Sequence, residues 1–415
     1  MMKRQVLFGL ILASLLYSVC SIALKGVHAS ATSEISATNI HLREPCVFFD
    51  KQVYCPKVDV FWNQAASIVP IKISVKDRFV GSPFVKVKIF SSLDTKKVIL
   101  MKVGAGRFEG SVLANCLRYS ESAMNKNQVF NVKYGDKIVA KYQGQMQAVA
   151  FIAFPRYVLD NYLTSTSPWK LFDSEGVPLV NYGYPIGIQY NSVTVSQYAL
   201  ANYHMYLVTG NSSFRETFLV QANWLVKNAA QKGNFSVWEY KFDWNTYRCT
   251  NPWVSGMAQG QGISVLTRAY FLTGNKTYLD VAETAVDSFA VEMSTGGVRY
   301  TDSLGGVWYE EYADVGAPSS KVLNGFIFAL LGLYEYSFAT NSSKGYTLFW
   351  QGVNTLAANV YRYDTGSWSC YDLLYRFSVS VGYHLLHVDQ LMTLYNLTGE
   401  QTFKKYSDKF NSYIR

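Results

Sequence analysis

The strongest constraint on this chain is a repeat in its C-terminal half. Leu207-Val208-Thr209-Gly210-Asn211, Phe271-Leu272-Thr273-Gly274-Asn275 and Asn396-Leu397-Thr398-Gly399-Glu400 each stand between two stretches of helical periodicity, and an aromatic residue follows each shortly after. The Thr-Gly pairs lie 64 and then 125 residues apart. The second interval is about twice the first, so a degenerate copy is expected midway, and Ala339-Thr340-Asn341 stands there. Gly and Asn are the residues that tolerate the left-handed backbone ending a helix, so each copy reads as the turn of a helical hairpin. Four hairpins of about 60 residues can close into an α/α toroid whose inner helices line a cleft. An open solenoid is the alternative, but its repeats are commonly shorter, at about 34 to 47 residues. The closed (α/α)4 toroid or barrel is the expected form for residues 154–415.

Before this region the period changes to two. Ile71-Lys72-Ile73-Ser74-Val75-Lys76 and Val85-Lys86-Val87-Lys88-Ile89 alternate apolar and charged residues, in short runs broken by Gly, Asn and Asp. Such alternation marks half-buried antiparallel strands, so residues 59–153 are expected to form an accessory β-sandwich. The fold class is therefore multidomain, β followed by α. Composition agrees, since 49% hydrophobic and 16% charged residues in 415 exclude a disordered chain.

The N-terminus reads as an export signal over residues 1–29. Lys3 and Arg4 precede an apolar stretch from Val6 to Leu24, and Val27-His28-Ala29 suits cleavage before Ser30. The alternative is an uncleaved anchor through residues 6–24, with the bulk of the chain outside. Residues 30–58 form an extension. Sequons at Asn211, Asn234, Asn275, Asn341 and Asn396 fit a glycosylated, externally facing protein. Cys46, Cys55, Cys116, Cys249 and Cys370 remain after the signal segment, and oxidised structural Cys is the expectation, with Cys46 and Cys55 spaced for a local bridge. No His/Cys pattern suits a metal.

Four clusters interrupt the helical pattern. Trp308-Tyr309-Glu310-Glu311-Tyr312 sets two carboxylates among three aromatics, a composition that suits a sugar site more than a core, and the following helix is expected to begin at Pro318-Ser319-Ser320. Tyr363-Asp364-Thr365-Gly366-Ser367 contains an Asx turn, and Tyr371-Asp372 follows it. Tyr383, His387 and Gln390 share one helical face beside His384. In Met257-Ala258-Gln259-Gly260-Gln261-Gly262 the glycines would let the backbone approach a ligand, and the two Gln offer hydrogen bonds to hydroxyls. No GxSxG, P-loop or dinucleotide fingerprint is present, so acid–base work falls to Tyr, Glu and the few His.

These clusters, with Val322-Leu323-Asn324-Gly325-Phe326 and Tyr371-Asp372-Leu373, resemble in order the D-glucuronyl C5-epimerase family over roughly Tyr182 to Arg415. That family converts glucuronic to iduronic acid within heparan-type polysaccharides. The resemblance implies an (α/α)4 barrel preceded by β-domains, removal of the proton at C5 and its return on the opposite face. It implies Glu311 and Tyr383 as the two acid–base groups, with Tyr312 and Tyr371 supporting the carboxylate or shuttling protons. Gln259, Gln261, Asn324, Tyr309, Arg376, His384, His387, Gln390 and Gln197 are the expected substrate-binding residues, Arg376 being the nearest Arg beyond Tyr371-Asp372-Leu373. The proton step requires no metal or redox cofactor.

Charge refines the expected partner. The chain carries 38 basic and 29 acidic groups, a net +9, and residues 59–153 alone hold 14 against 6. The surplus favours an anionic partner, whether nucleic acid, anionic lipid or acidic polysaccharide, without choosing among them. The resemblance implies a glucuronate-containing polysaccharide and no nucleic acid, with the β-domain supplying long-range attraction. A secreted or anchored epimerase is the leading reading. A polysaccharide lyase sharing the first proton abstraction and a non-catalytic glycan-binding surface protein are the alternatives, and a homodimer is compatible with either.

Overall fold

A computed structural model describes residues 46–49, 53–54, 67–76, 80, 82–91, 94–117, 129–133, 137–143, 146–152 and 169–414. The expected signal segment or anchor and the Cys46–Cys55 pair lie outside these residues or partly so. The chain divides into two compact units, which meet in sequence between Pro155 and Arg156.

The first unit is built from β1 (Cys46–Phe49), β2 (Val53–Tyr54), β3 (Ser67–Lys76), β4 (Phe84–Phe90), β5 (Thr95–Gly104), β6 (Arg107–Leu117), β7 (Val129–Lys133), β8 (Lys137–Tyr142) and β9 (Met146–Ile152). Pairing runs β1-β3-β6-β5-β4-β8-β9-β2, with β7 joined to β6. The expected β-sandwich is met in part: among the described residues the strands join in one continuous nine-stranded sheet instead of two separate ones. β1 also packs beside β8 and β9, so the sheet curls over its own apolar face. Alternation decides that face: Ile71, Ile73, Val75, Val85, Val87, Ile89, Val98 and Leu100 are buried together, while the residues between them point outward.

Among its described residues the second unit holds eight α-helices. They are α1 (Ser192–Thr209), α2 (Ser212–Asn228), α3 (Gly256–Thr273), α4 (Lys276–Asp287), α5 (Leu323–Thr340), α6 (Ser343–Asn359), α7 (Val381–Thr398) and α8 (Gln401–Ser412). They pair as four hairpins, α1/α2, α3/α4, α5/α6 and α7/α8. Every hairpin turns where the repeat places it: Gly210, Gly274, Asn341 and Gly399 all adopt left-handed φ between 56° and 76°. Asn341 fills the degenerate copy because its side chain tolerates that conformation nearly as well as glycine does. Asn211, Asn275, Ser342 and Glu400 then cap the second helix of each hairpin.

The first helices of successive hairpins pack in a row, α1 on α3, α3 on α5 and α5 on α7. No packing of that extent joins α1 to α7 among the described residues, so the expected ring is seen as its row of inner helices. Gly260 and Gly332 set the central contact. A Cβ on Gly260 would lie 2.5 Å from the backbone of Phe328 and Ala329, and one on Gly332 would lie 2.1 Å from the Gly260 carbonyl. Gly262 likewise faces the Trp238 ring. The glycines of the Met257 cluster therefore serve helix packing, not approach to a ligand. Deeper along the same helices, Arg268 and Glu335 form a buried pair at 2.7 Å.

Two further expectations are corrected here. Cys249 and Cys370 are buried free thiols, which burial pushes up to about 12 and about 11, so they are neither oxidised nor reactive. Asn396 is buried within α7, which removes it from the exposed sequons. No helix among the described residues is long and apolar enough to cross a membrane.

Candidate active site

The strand Val307–Tyr309 ends in front of α3, where the chain must bend. The Gly256 amide donates to the Glu310 carbonyl, and Val254 and Ala313 exchange both backbone hydrogen bonds. Glu311 and Tyr312 occupy the bend itself. On a straight strand two successive side chains would face apart. Here both reach one place.

The two adjacent carboxylates are divided between structure and site. Glu310 is fully buried and accepts from the Ser319 hydroxyl (2.5 Å), the Ser320 amide and hydroxyl (2.9 and 2.8 Å) and the Lys321 amide (3.0 Å). It is a clamp on the segment before α5. Ser319 and Ser320 are thus partners of Glu310, and the helix starts at Leu323, not at the expected Pro318-Ser319-Ser320. Trp308 and Tyr309 are core residues. Trp308 donates to Asp302, and the Tyr309 hydroxyl donates to the Leu348 carbonyl at 2.7 Å, which leaves Tyr309 nothing to offer a substrate.

Glu311 is 8% exposed. Its Oε1 accepts from the Tyr371 hydroxyl at 3.0 Å, and that hydroxyl lies 3.1 Å from the Tyr312 hydroxyl. Oε2 has no hydrogen-bond partner among the described residues and lies against Gly325, where a Cβ would come within 2.0 Å of it. Burial raises the Glu311 carboxyl to about 7; the hydrogen bond from Tyr371 and the Tyr312 hydroxyl beside it pull it down, and the charges of Glu310 and Asp372 push it up. The Tyr383 ring meets Tyr371 edge-on at 5.7 Å. Burial and then the Glu311 charge hold the phenols of Tyr312, Tyr371 and Tyr383 above their ordinary value, so all three are neutral donors. The structure therefore brings together the four residues nominated for the acid–base work.

Tyr371 is fixed by its backbone. Its amide donates to the Phe377 carbonyl, and its own carbonyl accepts from the Leu323 amide at the start of α5. The next residue, Asp372, is fully buried and accepts from the amides of Tyr375 and Arg376 and from the Tyr247 hydroxyl at 3.0 Å. The Tyr247 ring in turn stacks on Tyr312, 4.1 Å between centroids and 9° from parallel. Contacts thus form a closed circuit: Glu311 to Tyr371, Asp372 to Tyr247, Tyr247 to Tyr312, with peptide bonds completing it at 311–312 and 371–372. Beyond Tyr312 the aromatic wall continues through Trp253 to Tyr240, which stack at 4.1 Å. Sequence reading missed Tyr247, Trp253 and Tyr240. The one available signal was aromatic density, six such residues between Trp238 and Trp253.

Of the expected substrate-binding residues, several are committed elsewhere. Gln259 is fully buried, accepts from the Trp238 amide, and donates to the Ser236 carbonyl and the Ser288 hydroxyl. His384 Nε2 lies 2.8 Å from the Phe410 carbonyl, a contact only N–H can make, so Nδ1 is the acceptor facing Ser369. Ser369 Oγ bridges His384 Nδ1 and His387 Nδ1 at 2.7 and 2.9 Å. Burial lowers both imidazoles, His387 to about 3, and the pair is a neutral tie between the Ser369 segment and α7. Arg376 donates to the carbonyls of Arg362 and Asp364 and so braces its own loop. Gln197 is half-buried on α1 and makes no hydrogen bond to the cluster.

Gln261, Asn324 and Gln390 differ from these. All are buried on inner helices, and Gln390 donates to the Asn324 carbonyl at 3.1 Å. Asn324 Oδ1, Gln390 Oε1 and both polar atoms of Gln261 have no hydrogen-bond partner among the described residues.

With this geometry in place, comparisons with known proteins are informative. The family described as D-glucuronyl C5-epimerase C-terminus matches residues 231–412. A D-glucuronyl C5-epimerase of Caenorhabditis elegans is 34% identical over 218 residues, covering 47% of this chain and 34% of that protein. A protein of Methanocaldococcus jannaschii is 32% identical over 179 residues, covering 42% of this chain and 57% of the other. The chain thus spans about a third and somewhat over half of these relatives. Among solved structures, a cellobiose 2-epimerase of Bacillus thermoamylovorans aligns with a TM-score of 0.43 at 10% identity, covering 62% of this chain and 67% of that one. An unsaturated glucuronyl hydrolase of Bacillus sp. GL1 aligns with a TM-score of 0.39 at 15% identity, covering 53% and 61%. Residues 231–412, which carry Glu311, Tyr312, Tyr371 and Tyr383, thus match the D-glucuronyl C5-epimerase C-terminal family.

Proposed function

We propose that this protein inverts C5 of D-glucuronate residues to L-iduronate within an acidic polysaccharide. The observation that carries the reading is a buried carboxylate near neutrality, Glu311, hydrogen-bonded within a set of neutral phenols. The C5 proton is α to the sugar carboxylate, and removing it places further negative charge on a group already charged. Hydrogen-bond donors that reach that charge lower the barrier: the Tyr371 hydroxyl donates to Glu311 and Tyr312 lies beside it, and once Glu311 takes the proton both are released to turn to the sugar carboxylate. Glu311, ionised, takes the proton. Its near-neutral carboxyl makes it a stronger base than an ordinary glutamate and keeps a large fraction in the basic form at pH 7. Tyr383 returns a proton from the other face, and the Tyr383 phenolate left behind is recharged as Glu311 loses its proton to solvent. Burial disfavours that phenolate, so it is transient.

Export is part of the proposal. Its support is the leader-like sequence before Ser30 and the exposed positions of Asn211, Asn234, Asn275 and Asn341. Loss of mass on endoglycosidase treatment of the protein from its own cells is the expected result.

The test is incubation with heparosan in heavy water, followed by NMR. Iduronate signals and deuterium at C5 are expected. New absorbance from an unsaturated uronate without iduronate would assign the chain to elimination instead, and no exchange at all would make it a binder.

A further inference from the structure

The β unit carries a feature that neither its core nor the proposed reaction uses. Lys88 on β4 stands directly opposite Lys141 on β8 and, on its other side, Lys97 on β5. The three lysines form one row across three neighbouring strands, on the outward face, and all are exposed. Lys86 lies two residues along β4 on the same face. Beside the row the face turns apolar: Phe84 is 40% exposed, Ile99 and Met101 are 55% exposed, and Val103 is 56% exposed.

Like charges directly opposite one another in a sheet destabilise it. Lysines are tolerated on outer strands because they block edge-to-edge association, but that reason fails here. β4 lies between β5 and β8, β5 between β4 and β6, and β8 between β4 and β9, so none of the three is an edge. Glu109 is on β6, opposite Met101, and is paired with Arg107. Asp94 sits in the turn between β4 and β5, where it accepts from the Thr95 amide. Neither lies within the row.

From this arrangement we infer that the outward face of β4, β5 and β8 is a second binding site, separate from Glu311, for the anionic polysaccharide itself. A line of cations one residue wide suits a linear polymer of carboxylates, and the adjoining Ile99, Met101 and Phe84 suit the C–H faces of its sugar rings. An anionic membrane would need only the charge, whereas the cations form a row one residue wide that crosses three strands, from Lys97 through Lys88 to Lys141, the shape of a linear chain. The identity of the polymer rests on the proposed reaction; the existence of the site does not.

The test uses the full chain and fluorescent heparosan, with binding measured between about 50 and 200 mM salt. The combined variant Lys88→Gln, Lys97→Gln, Lys141→Gln is expected to bind about tenfold more weakly at the lower salt, with the slope of log affinity against log salt shallower by roughly 2. Turnover of an oligosaccharide too short to reach a second site stays at the wild-type rate. The corresponding Lys→Arg variant keeps both affinity and slope. An unchanged slope in the Gln variant overturns the inference, and so does equal weakening in the Gln and Arg variants. Binding to phosphatidylserine vesicles without binding to heparosan overturns it in favour of a membrane. If heparosan is bound in a lysine-dependent way but never epimerised, the site stands and the proposed reaction falls.

Discussion

The two units of this chain treat charge in opposite ways. The β unit sets Lys88, Lys97 and Lys141 in water on the outside of a sheet whose interior is aliphatic. The helical unit buries Glu311 among the phenols of Tyr312, Tyr371 and Tyr383. Long-range attraction needs solvated, unpaired charge, and burial would neutralise it or make it costly. Proton abstraction needs a carboxylate whose affinity for the proton has been raised, which for Glu311 is achieved first by removal from water. One environment cannot provide both.

The sharpest way to break this contrast is at Glu311. Glu311→Gln is expected to lower C5 exchange by roughly 10²–10⁴-fold in the heavy-water assay while the protein still binds polymer. Its neighbour should behave in the reverse manner. Glu310→Ala strands the donors of Ser319, Ser320 and Lys321 and is expected to cost about 3 kcal/mol in denaturant unfolding, because its role is structural. A milder break is Gly325→Ala, whose methyl would occupy the place of Glu311 Oε2. It should reduce kcat by about 10²-fold with little change in the unfolding midpoint.

Tyr247→Phe removes the hydroxyl that Asp372 holds but keeps the ring stacked on Tyr312. It is expected to lower kcat about tenfold with KM nearly unchanged, since it loosens the placing of Tyr312 without touching the sugar. Equal effects of Tyr247→Phe and Glu311→Gln would show that the circuit, not the carboxylate alone, performs the chemistry.

The last comparison is with pH. Because the folded Glu311 carboxyl is raised to about 7, its favourable contribution to stability is complete below its unfolded value of about 4.5 and is lost as pH rises through 7. Glu311→Gln should therefore stabilise the helical unit above pH 7, by at most roughly 3 kcal/mol, and leave it unchanged at pH 4. Activity should rise with pH through the same region. His387, lowered to about 3, has the opposite sign: its neutral form is the native one, so stability falls as pH drops below about 6.5. Thermal melts of wild type and Glu311→Gln between pH 4 and 9 separate the two. The lysine row should be silent in these melts, within about 0.5 kcal/mol, which is what distinguishes it from the buried site.

The sequence by itself determined the four hairpin turns, because a left-handed helix end is a local requirement that Gly210, Gly274, Asn341 and Gly399 meet through their own backbone preferences. It determined the inward face of the strands for the same reason, since alternation is written residue by residue. It also nominated Glu311, Tyr312, Tyr371 and Tyr383, through motifs whose order matches a family. Tertiary structure alone decided between neighbours of like chemistry. Glu310 and Glu311 have the same side chain, yet one clamps a loop and the other faces the phenols. Gln259 is satisfied by Trp238, Ser236 and Ser288, while Gln261, half a turn on, keeps its amide open. Tyr247 and Asp372 lie 125 positions apart and meet only in the fold. What a polar side chain does is set by the groups packed on its side of the backbone, and those come from segments that no local window of sequence contains.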